Sequence, residues 1–266
     1  MRTSGGQIFS QPGGSGMKIA ISQPTYLPWL GFLDLIDQVD TFVLLDNVQF
    51  EKQSWQQRNR IKTPTGLLWL TVPVIFRGRL GQKIQEVEIR DADFSRKHLR
   101  AIELNYSHAP FFNAHFPALS SILQACTSGM SLIDLNLDLL QWVLKLLGID
   151  TPLIAASSLG REGKRTELLA NICEKLGATQ YVSPVGSAEY LLREMNVLTD
   201  AGVETVFQNY KHPEYRQLFP PFIPFASVLD LILNEGPSSL AIIRSGRGTP
   251  FTPEELSARI AEAKQA

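Results

Sequence analysis

The sequence predicts an α/β protein built on a doubly wound, mostly parallel sheet, with a helical block inserted between the halves of the sheet. Short apolar runs alternate with stretches in which apolar residues recur at helical spacing, and this alternation is typical of the class. Residues 17–50 contain the first unit, which is a strand, a loop, a helix and a second strand. Residues 94–147 show helical spacing alone, so we expect the insertion there.

The opening unit follows from local residue types. Residues 18–22 are a short run rich in isoleucine and alanine that stops at a Gln-Pro turn signal, which predicts a strand. Residues 23–29 hold two prolines and two aromatic residues, and they form a loop because proline disfavours helix in the residue before it. From Leu30 the apolar residues recur at helical spacing, and the β-branched run 41–45 is the second strand.

The later elements follow from the same spacing rules. Residues 67–74 are almost continuously apolar, which is typical of a strand buried on both faces. Gly148 and Gly177 stand where helix C-caps are expected. The other predicted strands are 84–89, 151–156, 180–183 and 204–207, and the predicted helices are 94–106, 119–125, 132–147, 167–176, 227–234 and 253–264.

The chain divides into three predicted parts. Residues 17–236 form the α/β domain, and 266 residues in all can hold a large core. Residues 1–16 are rich in glycine and proline and lack an apolar face, which indicates a disordered extension or a cloning remnant rather than a signal peptide. Residues 237–266 are expected to be a C-terminal tail with one short helix.

Composition narrows the class of protein. The net charge of −1 does not suit a general nucleic-acid binder, and no apolar stretch reaches the roughly 18 residues of a membrane helix. Cys126 and Cys173 lie in helical patterns and are expected to be buried free thiols, which favours the cytoplasm. His98 is expected in the core. His108 and His115 are too widely spaced for a metal site without further ligands, so we expect no metal, and the sequence specifies no cofactor.

Polar residues after the strands are the first candidates for a site, because ligands of such sheets bind beyond the carboxyl ends of the strands. Asp46 ends the second strand, and Trp29 lies in the loop after the first. In the polar run 47–62 aromatic rings stand beside arginines, which suits flat or anionic ligands. The alternative for this run is an edge segment followed by a solvated basic turn.

The loop 157–165 is the second candidate. It follows a strand, carries glycines, hydroxyls and three cations, and leads into a helix, which together favour an anion site. The G-x-x-x-x-G-K-[ST] spacing of a Walker loop is absent. The alternative is an exposed basic loop in which Thr166 caps the helix.

His212 lies in a polar, proline-fixed loop beyond the last strand, where a general base or a ligand contact is as reasonable as a structural role. Ser187 follows another strand and is a ligand contact or a helix cap, and the G-x-S-x-G spacing of a nucleophile elbow is absent. The expected substrate-binding residues are Gln23, Tyr26, Gln49, Trp55, Arg58, Asn59, Arg60, Ser157, Ser158, Arg161, Lys164, Arg165, Ser183, Gly186, Ser187, Tyr190, Tyr215 and Gln217.

Several motifs resemble those of the WbqC-like family of bacterial proteins. They are QPTYLPWLGF, VQFEKQSWQQRNRIK, WLTVPV, NYSHAPFF, SSLGREGKRTELL, YVSPVGSAEYL and HPEYRQLFPPFIPFASVLDLI, and together they span residues 18–236. Family members often carry histidine where Ser22 stands in this chain. The resemblance implies a link with O-antigen and other surface-polysaccharide genes, and transfer of glycine or another acyl group.

The opening unit is also similar to that of the nucleotidylyltransferase superfamily, in which an H-x-G-H motif follows the first strand. Residues 29–32, Trp-Leu-Gly-Phe, occupy that place, so the two histidines that would hold phosphates are missing. The resemblance implies a shared fold, which does not by itself carry adenylyl transfer.

The favoured hypothesis is transfer of an aminoacyl or acyl group to an amino sugar. The small-molecule substrate would be a nucleotide sugar, and an acyl or aminoacyl carrier protein is a candidate partner. His212 would take the proton of the amine, Asp46 would hydrogen-bond the sugar, and the cations of 161–165 would hold a diphosphate. The alternatives are a nucleotide-dependent ligase or nucleotidyltransferase, and a non-catalytic partner of a glycan-assembly complex.

Overall fold

A computed structural model describes residues 16–265, and the predicted extension 1–16 lies outside them apart from Gly16. The strands are β1 Met17–Ser22, β2 Thr41–Leu44, β3 Arg58–Thr63, β4 Gly66–Thr71, β5 Leu153–Ala155, β6 Ala178–Ser183 and β7 Glu204–Phe207. The helices are α1 Leu30–Asp37, α2 Asp93–Tyr106, α3 Phe112–Gln124, α4 Leu132–Leu147, α5 Thr166–Leu176, α6 Ala188–Leu191, α7 Met195–Asp200, α8 Val228–Glu235, α9 Ser239–Ser245 and α10 Pro253–Gln265.

Five strands form one parallel sheet in the order β5-β2-β1-β6-β7. The chain builds the sheet outward from β1 to β5 and then returns to the other side of β1, which confirms the doubly wound parallel prediction. In such sheets the strand order reverses at one point, and ligands bind in the crevice there. That point lies here between the carboxyl ends of β1 and β6.

Helices cover both faces of the sheet because neighbouring residues of each strand point to opposite sides. Ala20 and Phe42 pack against α1, α4 and α8. Ile19 and Val43 point the other way and pack against α5 and α7. The short apolar runs of the sequence are therefore strands buried on both faces, as parallel strands are expected to be.

The predicted helical block is present, but α3 begins at Phe112 and not at the predicted residue 119, so part of the stretch expected to be a loop is helical. Residues 94–147 contain α2, α3 and α4, and α4 has the predicted bounds, Leu132–Leu147. Gly148 and Gly177 adopt left-handed conformations with φ of 70° and 66° and cap the helices before them. His98 is buried on α2, where its Nδ1 lies 2.8 Å from the Tyr26 hydroxyl, and Cys126 and Cys173 are buried and free.

Two predicted strands of the sheet are wrong. Residues 67–74 do not enter the parallel sheet, because β4 pairs in antiparallel register with β3 as a separate two-stranded ribbon. Leu68 and Trp69 are each 42% exposed, so this strand is not buried on both faces. Its partner β3 is Arg-Asn-Arg-Ile-Lys-Thr, which is so polar that the sequence indicated a loop or edge segment there.

The run 84–89 is also not a regular strand. Ile84–Glu86 form a 3₁₀ turn, which the Glu86 carboxylate closes by accepting a hydrogen bond of 2.9 Å from the Lys83 N–H. Ile89 forms only an isolated bridge with Val74. The apolar spacing that predicted a strand instead directs Ile84 and Ile89 into the core.

The segment after Gly236 packs against the domain and contains α9, which the sequence did not predict, as well as α10. Phe251 pairs with Phe207 at the edge of the sheet, and Arg247 pairs with Tyr210. Ile243 and Leu256 are buried in the core. Among residues 16–265, none of the helices combines the length and the apolar composition that a bilayer crossing needs.

Candidate functional site

Two cavities open at the carboxyl edge of the sheet, on either side of Gln23, the residue that follows β1. The first, called here the aromatic cavity, has a volume of about 580 Å³ and lies toward β6 and β7. The second, called here the basic cavity, has a volume of about 990 Å³ and lies toward β2 and β5. Gln23 lines both cavities, so they adjoin at the point where the strand order reverses.

Rings and one cation make up the wall of the aromatic cavity. Trp29, Trp55 and Phe225 line it together with Arg60. The Arg60 guanidinium lies 5.3 Å from the ring centroid of Trp55 and donates a hydrogen bond of 3.2 Å to the Phe225 carbonyl. Burial lowers the pKa of Arg60 from its ordinary value, but a guanidinium stays protonated in proteins, so the cavity holds a fixed positive charge.

Hydrogen bonds between side-chain amides fix Gln23, the residue that lines both cavities. Gln56 is buried, its Nε2 donates to Gln23 Oε1 at 2.8 Å, and its Oε1 accepts from the Glu51 N–H at 3.3 Å. Because Gln23 Oε1 accepts from Gln56 and its Nε2 has no partner among the described residues, the amide N–H groups are what Gln23 offers to a ligand. Gln23 is therefore a hydrogen-bond donor shared by both cavities.

Glu51 and Gln208 supply acceptors to the aromatic cavity. Glu51 is the one carboxylate among the residues lining this cavity, and it forms no ion pair with a described residue. Gln208 follows β7 and is 5% exposed, with Nε2 donating at 2.8 Å to both the Gly31 carbonyl and Asp34 Oδ2. A free carboxylate and a fixed amide oxygen suit a ligand that carries N–H or O–H groups.

The basic cavity is built at the beginning of α5. Its cations are Lys83, Arg161, Lys164 and Arg165. Arg165 precedes the helix with a φ of 53° and lies 3.4 Å from Glu194, whereas Lys83 and Lys164 form no ion pair with a described residue. Exposed cations beside a helix N-terminus attract anions.

Half of the expected binding residues line these cavities. Those in the aromatic cavity are Gln23, Trp55, Arg60 and Gly186. Those in the basic cavity are Gln49, Arg161, Lys164, Arg165 and Tyr190, together with Gln23 again. The aromatic-and-arginine run and the loop 157–165 therefore contribute to two neighbouring cavities rather than to one.

Tyr26 and Asn59 are buried residues that stabilise the loop 23–29. Tyr26 is fully buried and hydrogen-bonded to His98. Asn59 is buried as well, and its Nδ2 donates to the carbonyls of Tyr26 and Leu27 at 3.2 and 2.7 Å. Leu27 has a φ of 44°, a conformation that L-residues rarely adopt, so these bonds stabilise a strained turn beside the cavity.

Asp46 joins two strand ends. It is buried, and its two carboxylate oxygens accept hydrogen bonds of 2.8 and 2.6 Å from the backbone N–H and the hydroxyl of Ser157. Ser158 donates to the Ala155 carbonyl at 2.7 Å. Asp46 lines neither cavity, and it fixes the start of the loop that carries the cations.

His212 packs against two rings of the aromatic cavity but does not itself line the cavity. Its ring stacks on Trp29 with centroids 6.3 Å apart and meets Phe225 edge-on at 5.1 Å. Nδ1 donates to the Pro213 carbonyl at 2.9 Å, and Nε2 is buried with no described partner. Burial lowers the pKa of His212 more than the hydrogen bond to the Pro213 carbonyl raises it.

Tyr215 and Gln217 converge on a buried carboxylate. The Tyr215 hydroxyl and Gln217 Nε2 donate to Asp230 Oδ2 at 2.7 and 2.8 Å, and Tyr106 donates to the other oxygen at 2.8 Å. Burial raises the pKa of Asp230, while these three donors oppose the shift. The network ties the loop after β7 to α2 and α8, and neither Tyr215 nor Gln217 lines a cavity.

Arg58, Ser183 and Ser187 also lie outside the two linings. Arg58 stacks on Trp69 of the ribbon with its guanidinium carbon 4.3 Å from the ring centroid. Ser183 is buried at the end of β6 and donates to the Pro184 carbonyl at 3.2 Å. Ser187 precedes α6, as the cap interpretation expected, but its side chain makes no capping hydrogen bond.

Sequence reasoning did not select several cavity residues: Glu51, Gln56, Lys83, Gln208 and Phe225. Gln208 could have been found, because it is the first residue after the predicted strand 204–207. Glu51 and Gln56 lie in the candidate run 47–62, where nothing in the sequence separates them from the other polar residues, and Lys83 and Phe225 reach the cavities through tertiary packing.

The fold and the edge site define an α/β protein with a crevice at its strand-order reversal, and sequence comparison places the chain in a family. The sequence model of the WbqC-like protein family matches residues 23–242, and the chain belongs to that family. The chain is 39% identical to the uncharacterized protein Rv1507c of Mycobacterium tuberculosis. The 221 aligned residues cover 82% of this chain and 94% of that protein. No solved structure matches the chain.

Proposed function

We propose that the protein transfers an aminoacyl (glycine) or acyl group to the amine of a nucleotide-linked amino sugar, in bacterial surface-polysaccharide or related glycan biosynthesis. The observation that carries the proposal is the pair of cavities that adjoin at Gln23. An aromatic cavity beside a basic one suits a ligand with a ring at one end and a diphosphate next to it.

The sugar ring would lie in the aromatic cavity. Trp29 and Trp55 offer flat faces to the apolar side of the ring, and Glu51 and Gln208 offer acceptors to its polar groups. The diphosphate would lie in the basic cavity against Lys83, Arg161 and Lys164, near the beginning of α5.

The chemistry requires a base and donors for an oxyanion. The amine nitrogen attacks the acyl carbonyl of a thioester donor, and a C–N bond forms as the C–S bond breaks. Glu51 takes the proton of the amine and passes it to the sulfur of the leaving thiolate, so the carboxylate is restored. The Gln23 amide and the Arg60 guanidinium donate hydrogen bonds to the tetrahedral oxyanion, the role that fixed donors play in acyl transfer.

This proposal differs from the sequence-based hypothesis in the base. Glu51 lines the cavity, whereas His212 stacks behind Trp29 with Nδ1 held by Pro213. The assignment of the base to His212 and of sugar contacts to Asp46 stays a prediction. In the present proposal His212 supports the aromatic wall, and Asp46 positions the basic loop through Ser157.

The binding test is calorimetric titration with UDP-glucosamine, UDP-glucose, UDP and ATP. We expect the nucleotide sugars to bind more tightly than ATP, and Lys164→Gln to weaken binding, while Lys175→Gln at the other end of α5 does not. A ligand at 100 times its dissociation constant adds about 2.7 kcal/mol of stability, so a thermal shift gives an independent readout. Equal binding by both lysine variants and wild type would contradict the assignment of the diphosphate.

The transfer test supplies the glycyl thioester of pantetheine with UDP-glucosamine and measures amide formation by mass spectrometry.

Two alternative functions predict different results in these tests. The strand order with β1 at the reversal favours a nucleotidyltransferase as second candidate, and that reading requires magnesium-dependent release of pyrophosphate. Binding without either reaction would support a non-catalytic partner of a glycan-assembly complex or a donor carried on a protein.

A further inference from the structure

Gln208 is a buried polar group of the aromatic cavity whose amide is held in one orientation. It is 5% exposed, and its Nε2 donates to two acceptors at 2.8 Å, the Gly31 carbonyl on α1 and Asp34 Oδ2. Its Oε1 accepts no hydrogen bond from a described residue, and it is not sealed from solvent. Because Gln208 lines the aromatic cavity, Oε1 is the atom that it presents to a ligand.

If the Gln208 amide were reversed, both hydrogen bonds that Nε2 donates would be lost. Exchange of the amide oxygen and nitrogen would place Oε1 against the Gly31 carbonyl and the Asp34 carboxylate, two groups that only accept. Asp34 is fully buried, which raises the pKa of its carboxyl, while hydrogen bonds from Gln208 and from Arg247, whose Nε donates to Oδ1 at 2.7 Å, oppose the shift. A second donor, Gln38 Nε2, lies 2.8 Å from Oδ2. The ion pair therefore sets the direction of the amide.

Gln23 has the opposite orientation. Its Oε1 accepts from Gln56, so it presents N–H donors to the same cavity. The cavity thus contains a fixed donor and a fixed acceptor, each held by a buried partner. Such a pair of neutral amides selects ligands by the direction of their hydrogen bonds, because a mismatched ligand leaves a buried polar group unpaired.

We propose that Gln208 is a specificity-determining residue whose Oε1 accepts a hydrogen bond from the amine of the sugar, and that Arg247 is a positioning residue that acts through Asp34. The inference rests on the proposed function and names the group by which the substrate is recognised. It also gives a role to the segment after α9, because Arg247 reaches the site from there.

The test compares two probes that differ at one group. UDP-glucosamine carries a donor amine, and UDP-2-deoxy-2-fluoroglucose carries fluorine, which cannot donate. In calorimetric titration we expect wild type to favour the amine by about tenfold, the upper value for one hydrogen bond between neutral groups. Gln208→Met should reduce the ratio of the two dissociation constants by about fivefold, while Glu51 still faces the amine.

The two arginines of the C-terminal segment provide a matched pair. Arg247 and Arg244 both bind Asp37, but only Arg247 reaches Asp34. Arg247→Gln should reduce the ratio of affinities, whereas Arg244→Gln should keep the wild-type ratio. Unchanged affinity for the fluoro probe shows that each variant is folded, so a change in the ratio reports orientation of the amide and not stability.

The outcomes separate the two proposals. If wild type binds both probes equally, or if Gln208→Met keeps the preference for the amine, the role of Gln208 is overturned while the nucleotide-sugar site stands. If wild type binds neither probe, the proposed function fails and the inference fails with it.

Discussion

The aromatic and basic cavities share Gln23, yet their polar groups are held in different ways. In the aromatic cavity Gln56 and Gln208 are 2% and 5% exposed, and buried hydrogen bonds fix each amide. In the basic cavity Lys164 and Arg165 are exposed side chains on one loop. Fixed neutral groups discriminate between ligands, whereas exposed cations supply attraction that salt screens.

The difference has its origin in how the chain builds each cavity. The aromatic cavity takes residues from the ends of β1, β6 and β7 and from the loops at 51–60 and 225, so it depends on tertiary packing. The basic cavity rests mainly on 45–49 and on the continuous run 161–169. Disturbing the core should therefore alter the aromatic cavity first.

The largest expected effect is on catalysis within the aromatic cavity. Glu51→Gln removes the proposed base while keeping the shape, so the transfer rate should fall by roughly 10²–10⁴-fold with little change in the dissociation constant of UDP-glucosamine. Single-turnover transfer from the glycyl thioester measures it. Glu162→Gln, an equal change in the basic cavity, is the control. A normal rate in Glu51→Gln together with a lost rate in His212→Phe would return the base to His212.

The second effect is on stability. Arg247→Met leaves Asp34, which is fully buried, without its cation, and should lower the free energy of unfolding by about 3 kcal/mol. Arg244 is 53% exposed, so Arg244→Met should cost at most about 1 kcal/mol. Urea unfolding measures both. Equal losses for the two variants would mean that Asp34 does not depend on Arg247.

The third effect is a pH dependence of the free energy of unfolding. It arises at His98, which is hydrogen-bonded to Tyr26 of the loop 23–29. Burial lowers the pKa of His98 to about 4, although a hydrogen bond with the backbone of Thr71 opposes the shift. Since the unfolded chain binds the proton near pH 6.5 and the folded chain does not, stability should fall as the pH drops from about 6.5 toward 4, by about 2 kcal/mol at pH 5.

Urea unfolding of His98→Gln across this pH range checks the assignment, because the variant should lose that slope. His108→Gln, a change at an exposed histidine, should keep it. If His98→Gln retained the full slope, another group would be responsible for the acid sensitivity.

The smallest effect belongs to the basic cavity. Lys164→Gln removes one exposed cation and should weaken UDP-glucosamine about tenfold at low salt, with a shallower dependence of affinity on salt. Titrations at two salt concentrations measure both quantities. The preference for the amine over the fluoro probe should not change, since that preference arises at Gln208. A change in the preference would mean that the cavities are not separable in this way.

The sequence predicted the sheet well because its strands are short apolar runs. β1, β2, β6 and β7 lie where the spacing indicated, and the buried face of α4 repeats at helical intervals from Leu132 to Leu147. The ribbon was missed because β3 pairs polar residues with an apolar β4, and the pairing partner of a strand is a tertiary property. The spacing of apolar residues alone cannot distinguish a strand of the two-stranded ribbon from a strand of the parallel sheet.

The candidate site was predicted in part for a similar reason. Cations and aromatic rings are visible in a sequence, and Arg60, Trp55 and Lys164 line cavities. The direction of an amide is not visible, because it depends on partners far along the chain, as Gln208 depends on Asp34. Asp46 also depends on a distant partner, because Ser157 donates two hydrogen bonds to its carboxylate, and its contact with the sugar stays a prediction.

The central claim is that one nucleotide sugar spans both cavities across Gln23. The structure of the complex with UDP-glucosamine tests this claim most directly. We expect the sugar ring between Trp29 and Trp55 with its amine on Gln208 Oε1, and the diphosphate against Lys164 at the beginning of α5. A ligand held wholly within one cavity, or bound away from Gln23, would contradict it.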